Sequence, residues 1–131
     1  MKAHQKPIGD EDEWLTHPSI WQPLGPFDLD PCASIVRPWE IAPKCYTVED
    51  NGLRKVWNGR VWCNPPFNRY KRPHWMKKTA EHGNGLLMIP GATETAAFYE
   101  HVWEHPNANA VCFMRNRPHY CYTSGKVAKF N

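Results

Sequence analysis

The chain has 131 residues, a formal net charge of +3 and an apolar fraction of 41%, with seven Trp, thirteen Pro and five Cys. That length fits one domain with one modest core and leaves little room for a second. No apolar run approaches the roughly 20 residues needed to cross a bilayer. The odd cysteine count without CxxC pairs, and no signal peptide ahead of it, argue for reduced thiols in a cytoplasmic protein, and the mild positive charge permits a polyanionic partner without proving one.

Residues 1–13 are polar, acidic from Gly9 to Glu13, and read as a flexible N-terminal arm ahead of a single domain over 14–131. Trp14 to Pro26 is aromatic and punctuated by proline, so it should lie on the domain as ordered chain. Phe27-Asp28-Leu29-Asp30 alternates apolar and polar residues and meets Pro31, which predicts a short strand ending in a loop. Residues 31–59 are harder to assign; Tyr46-Thr47-Val48 has β-propensity and Asn51-Gly52 is a turn signal. Arg60 to Cys63 predicts a strand that stops abruptly at Asn64-Pro65-Pro66. A helix should follow, with Pro73 in its first turn, Met76 and Ala80 on one face and Gly83 at its C-terminal cap.

Gly85 to Ile89 predicts a fully buried strand ended by Pro90-Gly91. Thr93 or Thr95 can cap a second helix with Phe98, Val102 and Trp103 on one face and Pro106 as its stop. Ala108 to Met114 predicts a further buried strand. The second half therefore reads strand, helix, strand, helix, strand, a rhythm that predicts an α/β fold of three layers with a mainly parallel sheet. Ligands in such sheets sit beyond the carboxyl ends of the strands, where Asp30-Pro31 and Asn64-Pro65-Pro66 both fall.

Asn64-Pro65-Pro66-Phe67 suits one demanding reaction. The exocyclic amine of adenine has its lone pair delocalised into the ring and is a poor nucleophile. Two acceptors that hydrogen-bond both amine hydrogens favour a pyramidal nitrogen with a freed lone pair. The Asn64 side-chain oxygen and the Pro65 carbonyl can be those acceptors, and two prolines hold the backbone ready beforehand. Phe67 offers a face on which a base can stack, worth about 1–3 kcal/mol. The donor must be a sulfonium, so the cofactor carries the hard chemistry and the protein orients it. As a lone tetrapeptide the same text is also a stiff turn.

The chain resembles the phage-type DNA N6-adenine methyltransferases of the Dam group. The matching blocks are Trp14-Leu15-Thr16-His17-Pro18, Phe27 through Ser34, Glu49-Asp50-Asn51-Gly52-Leu53 and Val61 through Phe67, with looser similarity over Gly85 to Pro90 and Ala110 to Arg115. The resemblance implies a Rossmann-like fold and S-adenosylmethionine as methyl donor. It implies that Thr16 contacts the methionine end of that cofactor, and that Asp28, Asp30 and Pro31 lie by its amino group or ribose. Asp50 would lie by its adenine, and Asn64, Pro65, Pro66 and Phe67 would form the catalytic loop. Asp-Pro-Cys-Ala-Ser replaces the usual Gly-rich first loop. Relatives continue past His119-Tyr120 into another strand, so an ending at Asn131 reads as a C-terminal truncation. Such enzymes serve in restriction-modification or its evasion, and the resemblance implies a phage or prophage origin in a bacterial host.

Other readings stand beside these. Asp28, Asp30 and Asp50 are also ordinary turn residues, and Thr16 can bond local backbone. Arg69, Lys71, Arg72, Lys77 and Lys78 form an acid-free stretch that fits the phosphates of double-stranded DNA around a flipped adenine; it equally fits a solvated helix face. His101-Val102-Trp103-Glu104-His105 matches a zinc-peptidase pattern, but Pro106 follows at once and no third ligand is in view, so no metal is expected. The same loop could serve cytosine, an RNA base or a protein glutamine, or belong to an inactive relative that only binds DNA. The sequence is silent on the recognition site and the oligomeric state.

Overall fold

The computed structural model describes residues 14–128; the expected flexible arm over 1–13 lies outside them. The chain opens with β1 (Leu15–Thr16) and a single helical turn, α1 (Pro18–Trp21). His17 caps that turn by accepting from the Ser19 N–H at 3.2 Å. Then come β2 (Leu29–Asp30), β3 (Lys44–Cys45) and β4 (Val61–Cys63). They are followed by α2 (Arg72–His82), β5 (Gly85–Leu87), α3 (Ala96–Phe98) and β6 (Tyr120–Cys121).

Four strands form one parallel sheet in the order β3-β2-β4-β5. Leu29 stands beside Val61, and Val61, Trp62 and Cys63 stand beside Gly85, Leu86 and Leu87. Side chains alternate between the faces of a strand, and this register sorts the core. Leu29, Val61 and Cys63 face one side, where Trp75 of α2 and Trp57 cover them. Trp62 faces the other, packed with Trp21 of α1, Phe27 and Ala42. The mixed α/β architecture and the parallel sheet are those that the rhythm of elements predicts; an 11-residue helix covers one face, and on the other α1 is a single turn. β1 and β6 pair with each other instead, as a separate antiparallel ribbon.

The long helix follows its local signals. Pro73 sits in its first turn, and Gly83 ends it in the left-handed region at φ 71°, with its N–H bonded to the Thr79 carbonyl. Trp75, Met76 and Thr79 make its buried face. Thr95 caps α3, its Oγ1 accepting from the Phe98 N–H at 3.3 Å. That helix then widens to π geometry over Tyr99–Trp103, which buries Phe98 but leaves Trp103 48% exposed.

Three expectations need correction. Ala108 to Met114 forms no strand and every residue in it is exposed, Phe113 by 63%. A strand needs a ladder partner, and β5 already ends at Leu87, shortly before Pro90; the segment instead starts from an Asn107 side chain bonded to the Ala80 carbonyl on α2. β5 itself is an edge strand with an exposed Gly85 and half-buried leucines, not a fully buried one. The strand expected near Tyr46 lies two residues earlier. Tyr46 closes it by donating its N–H to the Asp30 carbonyl and accepting from Ala33 N–H, both at 2.9 Å.

Candidate active site

The carboxyl ends of β2, β3 and β4 open into one cavity of about 490 Å³. Pro31 to Ser34 follow β2, Thr47 and Val48 follow β3, and Asn64 and Pro66 follow β4. β1 and the residue before it add Trp14 to Thr16, and α2 with its N-cap adds Lys71, His74 and Trp75. This is where an open parallel sheet places a ligand, because loops diverge there and strand-end backbone groups face outward. The floor depends on one glycine. A Cβ on Gly52 would stand 2.1 Å from the Pro31 carbonyl oxygen, so only glycine lets the 51–54 turn close over the β2 end. Trp57 locks that turn by donating its indole N–H to the Gly52 carbonyl at 2.8 Å.

Polar satisfaction singles this cavity out. Among the described residues, four buried side-chain atoms have no hydrogen-bond partner: Thr16 Oγ1, Trp62 Nε1, Asn64 Oδ1 and Trp21 Nε1. Each such orphan costs about 1–3 kcal/mol. The first three belong to residues of the 490 Å³ cavity. Trp21 instead borders a broader hollow of about 760 Å³, whose charged residues Arg37 and Glu40 pair with each other at 2.9 Å. Asn64 is fixed by the residue before β1: its Nδ2 donates to the Trp14 carbonyl at 2.7 Å. A carbonyl can only accept, so the amide must turn its NH₂ toward Trp14, and Oδ1 is the atom left over.

Among the described residues, Asp30 is the one acid on the cavity wall. It is 7% exposed, and burial pushes its carboxyl up to about 7, opposed by the Cys32 N–H that it accepts and by the Arg37 charge. Near neutrality it is therefore poised between neutral and ionised, and a cationic ligand would draw it to the ionised form.

The residues singled out from sequence divide clearly. Thr16, Asp30, Pro31, Asn64, Pro66 and Lys71 meet at the cavity. Pro65 is buried beside it. Phe67 sits just outside, edge-on to Tyr120 with ring centroids 5.0 Å apart. Asp28 is turned away and accepts from the Arg60 N–H at 2.7 Å. Asp50 closes its own turn, accepting from the Thr47 N–H at 2.8 Å, while its neighbour Asn51 lines the cavity. Arg72 ties the loop to α2 through the Phe67 carbonyl at 3.2 Å. Arg69 stacks over Tyr70 at 4.7 Å, and Lys77 pairs with Glu81 at 3.9 Å. Lys78 donates to the Leu53 and Lys55 carbonyls and lies over Trp57.

Sequence reasoning missed Trp62, His74 and Trp75. Trp62 was findable: two residues before Asn64 on one strand, it shares that residue's face. Trp75 reaches the cavity as part of a helix face that sequence could only describe as apolar. Among the described residues no group of three His, Cys, Asp or Glu is placed to hold a metal ion, all five cysteines are free thiols, and no helix is long and apolar enough to cross a membrane.

No curated protein and no solved structure gives a significant match to this chain. The family model for DNA N-6-adenine-methyltransferase (Dam) matches residues 4–129. That match spans nearly the whole chain, including every residue of the cavity, and the chain belongs to the DNA N-6-adenine-methyltransferase (Dam) family.

Proposed function

We propose that this protein transfers a methyl group from S-adenosylmethionine to the 6-amino nitrogen of an adenine flipped out of double-stranded DNA, on a Rossmann-like methyltransferase fold. The observation that carries the reading is Asn64: its amide is oriented by the Trp14 carbonyl, and its Oδ1 remains a buried acceptor without a partner. An acceptor kept dry and unpaired suits an amine hydrogen that arrives with substrate.

The cavity residues fit the cofactor by chemistry. Thr16 and Trp62 bring unpartnered donors suited to a carboxylate, Asp30 a carboxyl suited to an ammonium, and Leu53 and Trp75 apolar surface suited to a flat ring. The volume lies within the range of about 300–1,000 Å³ usual for small-molecule sites. When bound, the cofactor supplies a methyl group on a sulfonium, with a neutral thioether as leaving group.

The chain's own residues do the rest. Asn64 Oδ1 and the Pro65 carbonyl take one amine hydrogen each, which localises the lone pair on nitrogen. The prolines restrict the backbone so that little reorganisation remains at the moment of transfer. Phe67 offers its ring to the extruded base, and Lys71, with Arg69 and Tyr70 exposed beside it, meets the flanking backbone. The proton leaves the methylated nitrogen for water, so no side-chain base is needed. Asp28 and Asp50 act on the cofactor only through the loops they close.

The test is incubation of unmodified DNA with radiolabelled S-adenosylmethionine, followed by nucleoside analysis. Label in N6-methyladenine is expected. Label in methylcytosine, or only in RNA or protein offered in parallel, overturns the assignment of substrate.

A further inference from the structure

Asn64 and Phe67 stand at either end of the catalytic loop, and neither is held by the parallel sheet that delivers them. Each is met by one strand of the β1–β6 ribbon. β1 brings the Trp14 carbonyl to Asn64 Nδ2 at 2.7 Å. β6 brings the Tyr120 ring against Phe67, 5.0 Å between centroids and 84° between planes. The strands pair in fixed register, Leu15 with Cys121 and Thr16 with Tyr120. The Trp14 and Tyr122 rings brace that register at 5.7 Å, and Cys121 is fully buried beneath it. Two residues fifty apart in sequence thus share one bond, and two more than fifty apart share one ring contact.

We propose that the β1–β6 ribbon is the positioning element of the transfer loop: the Trp14 carbonyl sets which atom of the Asn64 amide is offered, and Tyr120 is a positioning residue that sets the plane of Phe67. This rests on the reading of the site given above. Its physical content is geometric. A loop of two prolines is stiff along its backbone, yet stiffness does not choose an amide orientation or a ring plane; a carbonyl and an edge-on ring do. Tyr120 is absent from the cavity wall, so its influence on transfer must pass through Phe67 and not through cofactor binding.

The test compares wild type, Tyr120→Phe, Tyr120→Leu and Tyr120→Ala. It measures steady-state transfer to DNA, cofactor affinity by calorimetry, and fluorescence of DNA carrying 2-aminopurine at the target. Tyr120→Phe keeps the ring and is expected to retain kcat within about twofold, while Tyr120→Ala loses about tenfold or more in kcat with cofactor affinity changed less than about twofold. The 2-aminopurine signal should weaken in step with kcat, because a tilted Phe67 stacks poorly. Tyr120→Leu fills the ribbon without a ring and should fall with the alanine variant, which covers the case in which alanine loosens the fold. Wild-type kcat in either ringless variant overturns the inference, and so does parallel loss of cofactor affinity and kcat in both. A wild-type enzyme that transfers no methyl group to adenine overturns the reading of the site and this inference with it.

Discussion

The two faces of the parallel sheet carry the same secondary structure and opposite chemistry. On one face Leu29, Val61 and Cys63 pack under Trp57 and Trp75. The polar atoms there are satisfied: Trp57 donates to the Gly52 carbonyl and Thr79 to the Trp75 carbonyl, both at 2.8 Å. Burial pushes the Cys63 thiol up to about 12, so it stays protonated and inert. On the other face Trp62 and Asn64 stand with Asp30, Trp21 and, from β1, Thr16; all four unpartnered polar atoms of the described residues and a shifted carboxyl collect there, three of those atoms at the cavity. Strand β4 and the residue after it read Val61, Trp62, Cys63, Asn64, and alternation alone sends one pair to each side. One face is arranged to lower free energy when empty, the other to lower it when filled.

That contrast is sharpest as a pair of substitutions. Asn64→Ala should reduce methyl transfer by about a thousandfold, the scale of losing a preorganised acceptor at the reacting atom, with a melting temperature close to wild type. Leu29→Ala, one strand over on the dry face, should cost about 2–5 kcal/mol of stability and leave kcat per folded molecule unchanged. The checks are steady-state transfer and thermal unfolding on the same samples. If Asn64→Ala unfolds early, or Leu29→Ala stays folded and loses turnover, the two faces are not separable in this way.

A smaller effect probes the orphan donor. Trp62→Phe keeps an aromatic ring against Phe27, now at 5.4 Å between centroids, and removes the indole N–H together with part of a fully buried side chain. Cofactor affinity should fall by about tenfold, the worth of one hydrogen bond to a charged group. The apo protein should lose about 1–3 kcal/mol through the smaller ring in the core and nothing through the deleted donor, which had no partner. Calorimetric titration of cofactor into both proteins decides it; equal affinities would return Trp62 to a purely packing role.

Much of the working face was legible before any coordinates. β2, β4 and α2 announced themselves by alternation, an abrupt Asn-Pro-Pro stop, and a helix framed by Pro73 and Gly83. The place of the Asn64 loop after β4 followed, because the prolines that break the strand are local. What stayed hidden depended on contacts distant in sequence. Nothing in two-residue strands at Leu15–Thr16 and Tyr120–Cys121 signals that they pair across the length of the chain. Asp28 and Asp30 look equivalent in an alternating run, yet one binds the Arg60 backbone and the other faces the cavity. The basic stretch was read by charge alone, and Lys78 shows how a lysine on a helix can turn to cap backbone carbonyls. Ala108 to Met114 has the composition of a strand and lacks an edge to join.

The finest difference between the faces is one of protons. Folding raises the Asp30 carboxyl from its ordinary 3.8 to about 7, so the folded state holds a proton that the unfolded state releases first. Stability tied to that group is fully present below the unfolded value and is lost as pH rises through the folded one. Apo protein should therefore weaken between about pH 4 and pH 7, and Asp30→Asn should remove that slope. Binding has the opposite sign. A cationic cofactor prefers the ionised carboxyl, so its affinity should rise by about tenfold from about pH 6 to about pH 8. Below neutrality its binding should release a proton, visible as a heat of binding that varies with the ionisation enthalpy of the buffer. Cys63, equally buried on the opposite face and shifted to about 12, contributes nothing to either slope in this range. A flat affinity profile in wild type, or the same slope kept in Asp30→Asn, would place the ligand's charge elsewhere and leave Asp30 as a buried acid that folding tolerates without use.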